Sequence, residues 1–91
     1  MERIRKHIVF HGRVQGVGFR WRATQAAEMY GCTGWVRNEW DGTVTMEIQG
    51  TKLAIDAVIS TLERGSYIHV EDTEERQLPI QENESQFTVE F

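Results

Sequence analysis

Only one residue of the 91 is a cysteine, Cys32, so no disulfide can form within the chain and a reducing compartment is expected. Only one is a proline, Pro79, which breaks the chain once, late in the sequence. No apolar run approaches the roughly 20 residues that a membrane-spanning helix needs. The start, Met1-Glu2-Arg3-Ile4-Arg5-Lys6, is basic but lacks the apolar core of a secretory signal. Together these absences lead to the expectation of a cytoplasmic protein with no membrane partner. His7, His11 and His69 show no metal-ligand spacing. Cys32 has no histidine close in sequence to activate it and reads as a small packing residue. Ser60, Ser66 and Ser85 lie in no nucleophile-like setting.

What is present is an ordinary globular composition, 40% hydrophobic and 26% charged. The length suits one small core, so residues 1–91 are expected to form a single domain. The formal net charge of −4 is unevenly spread. Residues 1–37 hold seven Lys/Arg against two Asp/Glu, whereas residues 38–91 hold three against twelve. If these charges cluster in space, the first part draws small anions and the rest repels a nucleic-acid backbone.

The chain is organised around Gly12-Arg13-Val14-Gln15-Gly16-Val17-Gly18-Phe19-Arg20. Three glycines in seven positions allow tight turns and a close approach of backbone N–H groups to a ligand. A helix follows, whose first N–H groups and dipole favour an anion. Arg20 stands at that opening with a planar fork of donors suited to phosphate oxygens. The physics reads as a phosphate cradle with one arginine; a purely structural glycine turn beside a surface arginine is the alternative. No Gly-Lys-Ser/Thr follows, and the glycine spacing does not fit Gly-x-Gly-x-x-Gly, so neither common nucleotide fingerprint applies.

Along the chain, His7–His11 reads as a central strand and residues 13–18 as the loop. Phe19, Ala23, Ala26, Ala27 and Tyr30 fall on one face of a helix that Gly31 ends. Thr33–Asn38 is a second strand, Asp41-Gly42 a turn, and Thr43–Gln49 a third strand. In the third strand Val44, Met46 and Ile48 point inward while Thr45 and Glu47 point outward. Thr51 caps a second helix whose buried stripe is Ile55, Val58, Ile59 and Leu62, and Gly65 stops it. Tyr67 to about Arg76 is a fourth strand, residues 81–86 a polar loop, and Phe87, Val89 and Phe91 alternate in a short terminal strand.

The order β-α-β-β-α-β with an extra strand is α+β: a ferredoxin-like split β-α-β sandwich, an antiparallel sheet with two helices on one face. The first two strands then run parallel with the third between them, so their C-terminal ends share one sheet edge. The glycine loop and Asn38 meet at that edge, and a phosphate on the loop could meet the Asn38 amide. Ferredoxin-like sheets in other families bind RNA through aromatics on the open face. Here Phe10 is the one candidate on the first and third strands; Trp35 reads as sheet packing and Trp40 as a turn residue. No nucleic-acid partner is expected.

Two stretches resemble the acylphosphatase family. One is Gly12 to Arg20; the other is Gly34-Trp35-Val36-Arg37-Asn38-Glu39-Trp40-Asp41-Gly42-Thr43-Val44, similar to the family's Gly-x-Val-x-Asn-x-x-Asp-Gly-x-Val. Gly65-Ser66-Tyr67 departs from a frequent Gly-Pro, and Cys32-Thr33 from a more apolar start; both departures concern packing. The resemblance implies a hydrolase that cleaves carboxylic-phosphoric mixed anhydrides to a carboxylate and inorganic phosphate, without metal or organic cofactor. It implies that Arg20 and the backbone of Gln15, Gly16, Val17, Gly18 and Phe19 bind the phosphoryl group, and that Asn38 positions the attacking water. Partners are then a small acyl phosphate as substrate and phosphate as product and inhibitor, with the protein a monomer. Two alternatives remain: a non-catalytic anion-binding module, and the carbamoyl-phosphate-handling domain of larger hydrogenase-maturation proteins. The end at residue 91 without downstream zinc-finger cysteines speaks against the second.

Overall fold

A computed structural model describes residues 2–91; Met1, the first residue of the expected domain, lies outside them. The elements are β1 (Arg3–Arg13), α1 (Phe19–Met29), β2 (Thr33–Asn38), β3 (Val44–Thr51), α2 (Lys52–Glu63), β4 (His69–Leu78) and β5 (Phe87–Val89). The sheet order is β4-β1-β3-β2-β5. This is the ferredoxin-like α+β arrangement expected from the element order, with one correction: β5 pairs parallel to β2, so the sheet is mixed rather than wholly antiparallel. β1 is an interior strand, but β3 occupies the centre.

Strand alternation sorts the residues onto two faces. Ile8 and Phe10 lie opposite Met46 and Val44, and Val36 and Asn38 lie opposite the same two β3 residues. The apolar members of this face are fully buried, with Phe19, Ala23, Ala26 and Ala27 of α1 and Ile55, Val58 and Leu62 of α2 against them. Phe10 therefore belongs to the core and offers no aromatic platform. Its ring meets Phe19 edge-on at 4.9 Å and docks the first residue of α1 onto the end of β1. Two expected stripe residues are less buried than their spacing suggests. Tyr30 lies in the C-cap of α1, past the last core turn, and is exposed; Ile59 is only partly covered. Thr51 caps α2, its hydroxyl accepting from the Ala54 N–H at 3.1 Å.

The other face is polar yet not open. Arg5, Thr45 and Gln49 are buried there. Thr45 and Glu47 do point away from the helices, but outward is not solvent. Beyond the break at Pro79, Gln81 and Glu84 cover one end of this face, over Arg5, Thr33 and Gln49. Arg5 Nη1 donates to Glu84 Oε1 at 2.7 Å, and its Nε and Nη2 donate to Glu47 Oε1 at 3.2 and 3.0 Å. Gln49 both accepts from the Gln81 N–H and donates to its carbonyl. His7 Nδ1 lies 2.7 Å from Glu47 Oε2. A buried guanidinium tolerates such a site only with its donors matched, as here.

This network carries a stability prediction. Burial pushes the Glu47 carboxyl up, but the bonds to His7 and Arg5 outweigh it and hold the group below its ordinary value of 4.5. A carboxylate held down in the fold stabilises it above the unfolded value, and that contribution is lost as pH falls through the folded value. Glu47→Gln should cost about 2 kcal/mol at pH 7, because Arg5 keeps its burial and loses a charged partner. Below pH 4.5 the variant should lose less further stability than the parent. Thermal melts across acid pH measure this, and parallel profiles for the two proteins would contradict it.

Candidate active site

The loop between β1 and α1 is shaped by its glycines. At Gly12 the register of β1 against β4 shifts, and φ is +123°. A Cβ there would come within 2.2 Å of the His69 carbonyl oxygen, so only glycine lets β1 and β4 approach at this bulge. Gly16 and Gly18 both have left-handed φ, +72° and +79°, which turn the chain back over the strand end. Gly18 is the cap of α1 and supplies no side chain; its carbonyl accepts the first helical bond from the Arg22 N–H at 3.0 Å. From Gln15 to Trp21 no backbone N–H donates to another group among the described residues. Seven successive donors are thus left without a protein acceptor where the chain enters the positive end of the helix.

Asn38 ends β2 at the same sheet edge and on the helix-covered face. Its Oδ1 is buried and has no hydrogen-bond partner among the described residues. Buried amide oxygens are nearly always satisfied, so an orphan is informative. The Arg20 guanidinium makes no ion pair among the described residues; its carbon stands 5.6 Å from the centre of the Phe91 ring.

A cavity of about 430 Å³ joins these groups, lined by Gly16, Gly18, Phe19, Arg20 and Asn38 together with Val14, Trp21, Thr24, Val89 and Phe91. The sequence-derived site residues therefore converge, with two differences in detail. The Gln15 side chain turns away and ties the loop to the β2–β3 hairpin, donating to the carbonyls of Glu39 and Thr43 at 2.8 Å each. Val17 faces the groove toward Tyr67 and Ile68 instead. Neither side chain lines the cavity, and the expectation for both concerns their backbone.

The aromatic and apolar wall was not foreseen. Val89 and Phe91 reach the site because β5 lies beside β2, with Val89 opposite Val36. The alternation Phe87, Val89, Phe91 signals a strand but not which neighbour it takes.

Four of the seven basic residues of the first part, 1–37, are committed to ion pairs. Arg3, Arg5, Lys6 and Arg37 pair with Glu82, Glu47 and Glu84, Glu75, and Glu39 respectively. Arg13, Arg20 and Arg22 make no ion pair among the described residues, and of these Arg20 is the one that lines the cavity. His7 and His11 engage Glu47 and Glu74 separately and do not meet as a ligand pair. Asp41 does turn chemistry only, its carboxylate accepting from the Thr43 N–H and hydroxyl. Cys32 is buried, and burial pushes its thiol up to about 11, which suits packing rather than nucleophilic work. No helix among the described residues is long and apolar enough to cross a membrane.

The geometry can be set beside known proteins. The acylphosphatase family profile matches residues 6–89. An acylphosphatase of Thermococcus kodakarensis is 46% identical over 65 residues, which cover 71% of each chain. One from Geobacillus kaustophilus is 37% identical over 91 residues, covering 93% of this chain and 92% of that protein. The crystal structure of acylphosphatase from Bacillus subtilis superposes with a TM-score of 0.88 at 28% identity, across 97% of this chain and 99% of that one. The profile spans nearly the whole described chain, and on that match the chain belongs to the acylphosphatase family.

Proposed function

We propose that the loop N–H groups from Gln15 to Phe19 and the Arg20 guanidinium bind the phosphoryl group of an acyl phosphate, and that Asn38 positions the water that attacks it. As a member of its family the protein is a hydrolase of acyl phosphates, releasing a carboxylate and inorganic phosphate. The observation that carries the residue assignment is the buried, unpartnered Asn38 Oδ1 in the wall of the cavity that also holds Arg20 and the loop.

A mixed anhydride already carries a good leaving group. Catalysis therefore needs placement and charge stabilisation more than acid chemistry. Arg20 and the loop N–H groups meet the charge on the equatorial oxygens. Asn38 Oδ1 accepts a hydrogen bond from the water and adds no charge that would repel phosphate. As water oxygen bonds to phosphorus, the bond from phosphorus to the acyl oxygen breaks and the carboxylate leaves with its electron pair. Among the described residues no carboxylate or imidazole side chain lines the cavity. The proton of the water accordingly goes to a phosphate oxygen or to the departing carboxylate.

The cavity walls also lack the carboxylate, imidazole and thiolate ligands that hold divalent cations. Hydrolysis of benzoyl phosphate should therefore proceed equally with and without a chelator. Inorganic phosphate or sulfate should inhibit competitively and raise the melting temperature by mass action, by about 2.7 kcal/mol of stability at a hundredfold excess over Kd. Chelator-sensitive activity, or phosphate inhibition that is not competitive, would contradict this assignment.

A further inference from the structure

The cavity exceeds what a phosphate needs. At about 430 Å³ it lies in the size range of small-molecule sites. Its lining divides by chemistry. Gly16, Gly18, Arg20 and Asn38 supply polar groups; Trp21, Val89 and Phe91 supply apolar surface. Arg20 is the only charged side chain in the lining. The Thr24 hydroxyl is already committed, donating to the Arg20 carbonyl at 2.9 Å. Trp21 is 68% exposed and the Phe91 ring is wholly exposed, so neither is held by the core. The Phe91 ring also stands within cation–π range of the Arg20 guanidinium, so the two parts of the site share a border.

We propose that Trp21 and Phe91 form the acyl-binding wall of the site, selecting acyl phosphates with an aromatic or bulky apolar acyl group over acetyl-sized ones. This rests on the phosphoryl group being held by the loop and Arg20. With phosphorus fixed there, the acyl group fills the remaining volume, where the chain offers rings and a valine but no further charge. Aromatic faces bury large area at low entropic cost and stack on a second ring. An acetyl group covers little of either face.

The test compares kcat/KM for benzoyl phosphate and acetyl phosphate in the parent, Trp21→Ala, Phe91→Ala and Arg20→Ala proteins. The ratio of the two constants should favour benzoyl phosphate in the parent. It should fall on the order of 10-fold in Trp21→Ala and in Phe91→Ala, mainly through KM, the scale at which apolar pockets discriminate. The conservative variants Trp21→Phe and Phe91→Tyr should keep the parent ratio, because a flat ring remains. Both rings are exposed, so these changes leave the fold intact, which a thermal melt checks. An unchanged ratio in both alanine variants, with Arg20→Ala inactive on both substrates, would overturn the acyl wall and leave the phosphate site standing. Parent-like hydrolysis by Arg20→Ala would overturn the phosphate site and the acyl wall with it.

Discussion

Arg20→Lys should lower kcat/KM for an acyl phosphate by on the order of 10²–10³-fold, the scale of removing one well-aimed donor to developing charge. Lysine retains the charge, and the loop N–H groups remain. What disappears is the planar fork, which meets two phosphate oxygens at once and holds its direction while charge spreads over the equatorial positions. Arg20 is suited to this because no carboxylate among the described residues competes for it, and because the Phe91 ring borders its guanidinium at 5.6 Å. Arg20→Ala should cost at least as much. Neither change touches the core, so melting temperatures should stay within a few degrees of the parent, in contrast to Glu47→Gln. Parent-like kinetics in the lysine variant would show that point charge alone suffices and that the fork has no part.

Asn38→Ala should separate binding from chemistry. The loop and Arg20 stay, so inhibition by inorganic phosphate should be nearly unchanged. The water loses the Oδ1 that would hold it and samples many orientations, and kcat should fall on the order of 10²-fold. Removing an orphaned buried oxygen breaks no bond within the described protein, so stability should not suffer and serves as a control. Asn38→Asp is the sharper variant. It preserves size and an acceptor, but it sets a negative charge beside a dianionic phosphate and removes the amide donor. Activity should fall and phosphate inhibition should weaken. Retained or raised activity would mean that a carboxylate here serves as general base, against a water-positioning role.

The two halves of the proposed phosphate site were legible in the sequence for a local reason. Gly12, Gly16 and Gly18 are demanded by the backbone itself, through one bulge and two left-handed residues. Asn38 followed from topology: once β1 and β2 were parallel about β3, their C-terminal ends had to share an edge. The rest depends on contacts distant in sequence. Phe91 and Val89 join the site only because β5 adds to β2 in parallel, a pairing that strand alternation does not determine. Arg5 reads as one more basic residue near the start, yet it is wholly buried because Glu84 arrives 79 residues later. Thr45 was correctly placed on the face away from the helices, yet it is buried there, with the Glu39 side chain bonded to it, while Gln81 reaches Gln49 at the other end of the strand. Net charge by segment conceals ion pairing for a related reason, since the sheet brings acidic residues of the second half against basic residues of the first.

The most direct test of the central claim, that a water positioned by Asn38 attacks phosphorus held by the loop and Arg20, is hydrolysis of benzoyl phosphate in ¹⁸O-labelled water. The account predicts that each turnover places one labelled oxygen in inorganic phosphate and none in benzoate, because the bond that breaks joins phosphorus to the acyl oxygen. Label appearing in benzoate would place the attack at the carbonyl carbon and contradict it.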